Sequence, residues 1–149
     1  MPRIKLQPLA EYQHKYRTEI RVTDLNYGNH LGNDALVGLL HQARVLFFRD
    51  MGLGEIDLGD GKTGVTMSDL AVNYRSEGFL FDELLIESSI TEIQNSGFRV
   101  IHRVRSNGTD IALAEVGIVA FDYARRRPAK LPGEFRKALD AYLRNRTNS

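Results

Sequence analysis

Val22-Thr23-Asp24-Leu25-Asn26-Tyr27-Gly28-Asn29-His30-Leu31-Gly32-Asn33-Asp34 is a polar loop that runs directly into an apolar stretch from Ala35 to Met51. Within that stretch, Leu36, Leu39, Leu40, Ala43 and Phe47, joined by Val37, Val45, Leu46 and Phe48, leave a narrow polar stripe of His41, Gln42, Arg44 and Arg49. A helix that is apolar nearly all round belongs inside a sheet. Asn33 or Asp34 is placed to cap its start, and Gly52 stands where a C-terminal cap is expected. The first-turn N–H groups of such a helix lack intrahelical partners. Together with the positive end of the dipole they can receive an anion or an oxyanion from the side of the loop. Gly28 and Gly32 allow backbone conformations and close approaches there that side chains would obstruct.

Outward from this centre, the preceding segment alternates Tyr16, Thr18, Ile20 and Val22 with Lys15, Arg17, Glu19 and Arg21, the period of a strand with one wet face. Residues 1–13 read as a loose lead-in, with Pro2 and Pro8 blocking regular structure. Leu53 to Lys62, with three glycines, reads as a loop. Four further strands are expected at Thr63–Glu77, Asp82–Gln94, Phe98–Ser106 and Asp110–Tyr123. Asn95-Ser96-Gly97 and Asn107-Gly108 are hairpin signals between them. Arg125, Arg126, Arg127, Pro128 and Pro132 then interrupt the sheet, and a helix from about Gly133 to Arg146, apolar along Phe135, Leu139, Tyr142 and Leu143, is expected to pack peripherally. The β-α-β-β-β-β order specifies an α+β domain in which a five-stranded antiparallel sheet curls around one long helix.

A chain of 149 residues has the length of a single domain, here 1–149 with a core of about 14–132. Twenty basic against 19 acidic residues leave a net charge of +1, so there is no global attraction to nucleic acid or to an anionic membrane. The absence of cysteine rules out disulfides and thiolate chemistry. No apolar run approaches the roughly 20 residues of a membrane span and no secretory h-region opens the chain, so a cytoplasmic protein is expected.

The loop and helix resemble the hotdog-fold acyl-CoA thioesterases, within them the 4-hydroxybenzoyl-CoA thioesterase-like group. That group carries a signature close to Asp-x-Asp-x-x-Gly-His-Val-Asn-Asn before its helix and an Ala-Arg pair within it. Here the run is Asp24-Leu25-Asn26-Tyr27-Gly28-Asn29-His30-Leu31-Gly32-Asn33, with Ala43-Arg44 following. The resemblance implies the hotdog fold, cleavage of an acyl-CoA or acyl carrier protein thioester by water, coenzyme A present only as part of the substrate, and a homodimer or homotetramer. One departure stands out: the second acid of the signature, the carboxylate that acts on water or carbonyl in the group, is Asn26 here. An amide has no usable basicity, so Asn26 is left a positioning role and the base is unassigned.

Thioester hydrolysis needs donors for the carbonyl oxygen and a placed, activated water. The N–H groups of Asn33 and Asp34 are candidates for the first; for the second, Asn26 could orient the water while Asp34, the favoured base, or Asp24, His30 or, across a dimer interface, Asp69 takes the proton. Each has an ordinary structural alternative: Asn33 and Asp34 as caps, Asp24 as a brace of the loop backbone, His30 as a hydrogen-bonded tie, His41 and Gln42 as packing residues on the helix. Arg75, Arg99, Arg103, Arg105 and the group Arg125–Arg127 with Lys130 could meet substrate phosphates, with Arg75 and Arg103 the chosen pair. Tyr27, Leu31, Leu36 and Leu70 could line an acyl pocket. His14 and His102 have no acidic or histidine partner at ligand spacing, so no metal is expected. No aromatic platform accompanies the arginine group, which argues against nucleic acid. Two other readings are a non-catalytic acyl or CoA-binding hotdog domain, motivated by Asn26, and an enoyl thioester hydratase or dehydratase. For the latter, Asp24 and His30 stand one position too far apart and the proline of that motif is missing.

Overall fold

A computed structural model of the chain describes residues 3–147. The elements follow in the order β1 (His14–Glu19), a 3-10 turn (Val22–Asp24), α1 (Asn33–Asp50), β2 (Thr63–Tyr74), β3 (Glu83–Thr91), β4 (Gly97–Ser106), β5 (Thr109–Asp122), β6 (Arg127–Pro128) and α2 (Gly133–Thr147). The sheet order is β1-β3-β4-β5-β2, with the two-residue β6 paired to β5. The α+β class and the five long strands agree with the sequence reading. The sixth strand does not: Arg127 and Pro128 add to the sheet opposite Asp122 and Phe121. Proline fits there because its missing N–H faces away from any partner on an edge.

Local chemistry explains the punctuation. Asn107 and Gly108 both have positive φ, 52° and 79°, the signature of the tight turn that matches the twist of a β4–β5 hairpin. Gly52, at φ 80°, follows α1 as Leu53 N–H reaches back to the Phe48 carbonyl at 2.8 Å, a Schellman closure. β4 alternates without a break, Phe98, Val100, His102, Val104 and Ser106 inward. The strand expected from His14 to Val22 stops at Glu19, and Val22 is exposed in the 3-10 turn.

The chain divides into two compact units. The first takes the chain up to Arg44 with Ala71–Ser89 and Ile101–Glu115. Its core packs Leu36, Leu39, Leu40 and Ala43 of α1 with Leu84, Ile86, Val104, Ile111, Ala112 and Ala114 of the strands. Burying each large side chain contributes about 1.5–3 kcal/mol. Beside that core lies a buried polar group: Arg44 is only 6% exposed, with Nη1 3.4 Å from His102 Nε2, and His102 Nδ1 is 2.8 Å from Ser88 Oγ. Arg44 therefore leaves the polar stripe on which the sequence placed it. The exposed side of α1 is instead Asp34, Gly38, His41, Gln42, Val45 and Arg49, so the helix is less enclosed than its composition suggests. The lead-in is not loose either. Asn73 accepts from Leu6 N–H at 2.7 Å and donates to the Ile4 carbonyl at 2.8 Å, tethering an otherwise irregular segment. Pro2 lies outside the described residues.

The second unit takes Val45–Leu70, Ile90–Val100 and the chain from Val116. Its core gathers Phe47, Phe48, Val65, Phe98, Val100, Ile118, Phe135 and Leu139. Phe135 of α2 is fully buried and stacks on Phe98 at 4.7 Å. The C-terminal helix is thus part of this core rather than peripheral, because its one apolar stripe is aromatic-rich and finds an aromatic partner. Among the described residues no helix is long and apolar enough to cross a membrane.

Candidate active site

In the first unit, the polar loop closes on itself through main-chain bonds. Leu25 and Leu31 form an antiparallel bridge, Asn26 N–H donates to the His30 carbonyl at 2.9 Å, and Asn29 N–H donates to the Asn26 carbonyl at 3.0 Å. The left-handed position of the turn falls on Asn29, φ 64°, and not on Gly28; asparagine tolerates it. What Gly28 supplies is clearance, since a Cβ there would sit 3.3 Å from Asn26 Oδ1 and from the His30 ring. The loop is anchored at both ends. Gly32 N–H donates to the Asp24 carbonyl at 2.9 Å, and Leu31 N–H donates to the Gly78 carbonyl at 2.8 Å.

Gly32 is the N-cap of α1, because its carbonyl accepts the first intrahelical bond, from Leu36 N–H at 3.0 Å. Of the three preceding amides, that of Ala35 is taken by Asp34 Oδ1 at 2.9 Å. The N–H groups of Asn33 and Asp34 have no hydrogen-bond partner among the described residues. Tyr74 Oη donates to the Asn33 carbonyl at 2.9 Å and so pins this first turn; burial, then the Asp34 charge, pushes the Tyr74 phenol up from its ordinary value.

A cleft of about 580 Å³ opens alongside. Its lining includes Asn26, Tyr27, His30, Leu31, Gly32, Asn33 and Leu36 from the loop and helix start, with Tyr74, Arg75, Ser76, Glu77 and Ile111 opposite. The opposite wall is built by a bulge at the end of β2. Arg75 and Ser76 both direct their N–H to the Ile111 carbonyl, at 2.8 and 3.3 Å, so the strand expected to run to Glu77 ends at Tyr74. A bulge of this kind turns side chains off the sheet's alternation, and here it aims Arg75, Ser76 and Glu77 at the cleft.

The candidates separate accordingly. Asn26 Oδ1 accepts from Gly28 N–H at 2.9 Å and His30 N–H at 3.4 Å, which fixes its amide orientation and leaves Nδ2 to donate into the cleft. His30 Nδ1 lies 3.2 Å from the Leu31 carbonyl, which can only accept, so in the neutral ring Nδ1 carries the proton and Nε2 the lone pair. Tyr27 stands fully exposed at the mouth, and Leu31 and Leu36 are buried at the floor. Asp34 is not among the lining residues and spends one carboxylate oxygen on Ala35. Asp24 is buried and occupied by Arg21, which donates from its backbone N–H at 2.9 Å and from its guanidinium at 3.3 Å.

Of the arginines, Arg75 lines the cleft and donates to the Leu6 carbonyl at 3.4 Å. Arg103 does not; Asp110 holds it at 2.8 Å and keeps the guanidinium above its ordinary range. Arg105 pairs with Glu87 at 2.9 Å. In the second unit, Asp69 pairs with Arg99 at 2.6 Å, which holds its carboxyl below the usual range, and Leu70 packs against that unit's core. Arg125 reaches Asp122 at 4.0 Å and Arg126 lies over the Tyr123 ring. His14 and His102 are both buried, and among the described residues no three His, Asp or Glu side chains lie close enough together to hold a metal ion. Tyr74, Ser76 and Glu77 were not legible as site residues. They reach the loop and helix start through the bulge, the Leu31–Gly78 bond and the Tyr74–Asn33 bond, long-range features that leave no local mark in sequence.

A family model described as the thioesterase-like superfamily matches residues 20–139. Among proteins of curated function, no sequence matches. Solved structures of the same fold include a 1,4-dihydroxy-2-naphthoyl-CoA thioesterase from Synechocystis, 16% identical over 85% of this chain and 94% of that one, TM-score 0.76. A thioesterase complexed with coenzyme A and Zn from Thermus thermophilus is 23% identical over 91% and 97%, TM-score 0.75. A Staphylococcus aureus protein in complex with CoA is 15% identical over 95% and 89%, TM-score 0.79.

Proposed function

The chain belongs to the thioesterase-like superfamily, and from that premise we propose that it hydrolyses the thioester bond of an acyl-CoA. The observation that carries this reading is the start of α1: two uncommitted N–H groups, at Asn33 and Asp34, beside a cleft large enough for an acyl thioester. In this reading the thioester carbonyl oxygen sits against those amides, and Asn26 Nδ2 adds a third donor. Donors of this kind, already oriented before charge develops, are each worth on the order of 3 kcal/mol of barrier. Water attacks the carbonyl carbon, the tetrahedral oxyanion collapses, and CoA leaves as the thiol.

Leu31, Leu36 and Ile111 offer the acyl group an apolar floor, Tyr27 covers it from the mouth, and Arg75 is the cation at hand for a phosphate of the carrier. Two of the solved structures with this fold hold CoA, which supports CoA as the carrier here. The family's joining of two sheets into dimers or tetramers extends to this chain as part of the proposal.

The test is release of free thiol from a panel of aliphatic and aromatic acyl-CoAs. Turnover of at least one class is expected. A purified, folded sample that binds CoA but releases no thiol from any of them would favour the binding-only reading, and a change confined to enoyl-CoA would favour hydration.

A further inference from the structure

We propose that the base left unassigned by the amide at position 26 is His30, with Glu77 as the nearby carboxylate whose charge stabilises the imidazolium once the proton is taken. This rests on the hydrolase reading above. His30 donates from Nδ1 to the Leu31 carbonyl at 3.2 Å, which leaves the Nε2 lone pair free to accept a proton. Nε2 lies 3.9 Å from Glu77 Oε1, both groups line the cleft, and both keep contact with solvent, at 33% and 62% side-chain exposure. The Nδ1 bond sets the ring's orientation, and the missing side chain at Gly28 leaves room beside its Nε2 and Cδ2 edge.

The carboxylates named from sequence are less available: Asp24 is locked to Arg21, Asp69 to Arg99, and Asp34 lies outside the lining. The remaining ionisable groups facing the cleft are Tyr27, Tyr74 and Arg75. None of these is an effective base at neutral pH.

Atoms and electrons balance through the step. Water oxygen bonds to the carbonyl carbon, one water proton passes to His30 Nε2, and the carbonyl π pair moves onto oxygen. When that pair returns, the carbon–sulfur bond breaks, the sulfur departs with its electrons and takes the proton from Nε2. The imidazole is neutral again, and a carboxylic acid and a thiol are the products. Glu77, 3.9 Å from that nitrogen, stabilises the transient imidazolium by its charge.

Steady-state kcat against pH, for an acyl-CoA that the wild type turns over, tests this in His30→Ala and Glu77→Gln. Melting curves check that each variant folds, and the exposed Glu77 provides a variant whose folding is not at stake. His30→Ala is expected to lose roughly 10²-fold or more in kcat, to lose the acid limb of the profile, and to regain part of the rate with added imidazole. Glu77→Gln is expected to lose about fivefold in kcat, the scale of a solvent-exposed ion pair, with KM unchanged, and Glu77→Asp to recover part of the rate. Wild-type-like kcat in His30→Ala overturns the assignment. So does a Glu77→Gln variant as inactive as His30→Ala, which would make the carboxylate the base, or one whose kcat equals that of wild type. If the wild type itself cleaves no acyl-CoA, the hydrolase reading falls first; active wild type with active His30→Ala removes this inference alone.

Discussion

Position 26 carries an amide where the thioesterase signature carries an acid, and its two ends have different duties. Oδ1 braces the loop by accepting from Gly28 and His30, while Nδ2 is the end that the proposed reaction assigns to substrate. Asn26→Asp separates these duties, because a carboxylate keeps the acceptor, deletes the donor and sets a negative charge where the oxyanion would form. We expect about a tenfold fall in kcat, in line with losing one hydrogen bond to a charged group, and a melting temperature close to wild type. A gain in activity would mean that this position can serve as the acid of the signature after all. The substitution at Asn26 is visible in sequence. Which of its atoms faces the cleft is not, because that depends on main-chain donors brought round by the turn at Asn29.

At the scale of elements, alternation and turn chemistry were legible wherever one residue type has one physical use. β4 alternates inward and outward as its sequence does, Asn107-Gly108 turns the hairpin, and Gly52 ends α1. The departures share a cause: a residue's type does not by itself fix its side. Arg44 lies on the inner face of α1 where β4 supplies His102 to receive it and Ser88 of β3 holds the far side of that imidazole, and a partner on another strand cannot be read from the helix alone. Phe135 draws α2 into a core in the same way.

The Arg44 group predicts a pH dependence of stability. Burial, then the neighbouring guanidinium, pushes His102 down from 6.5 to about 3. Between those values the unfolded chain binds a proton that the folded chain refuses, so stability falls as pH drops from about 6.5 towards about 3, with a slope approaching about 1.4 kcal/mol per pH unit from this residue. Denaturant unfolding at stepped pH should show wild type losing more stability on acidification than His102→Gln, which has no such proton to refuse. Parallel losses in the two proteins would contradict the buried neutral imidazole.

At the scale of the molecule, the family and the order of elements were within reach of one sequence because the loop, the cap and the helix are contiguous. The opposite wall of the cleft was not, since Tyr74, Ser76 and Glu77 reach it through a bulge and a bond made more than forty residues along the chain from the loop. A net charge of +1 supplies no long-range field for an anionic substrate; under the proposed reaction, recognition would fall to local groups such as Arg75 and the helix start.

That helix start is the part of the account on which the chemistry rests, and one backbone atom tests it. Asn33 occupies the first helical position, where proline is tolerated because the N–H it lacks has no helical partner. Asn33→Pro thus deletes one proposed oxyanion donor with the helix kept, and Asn33→Ala controls for the side chain. Measured side by side on the same acyl-CoA, Asn33→Pro is predicted to lose about 10²-fold in kcat relative to Asn33→Ala, at similar melting temperatures. Equal rates in the two folded variants would contradict the claim that this amide holds the developing charge.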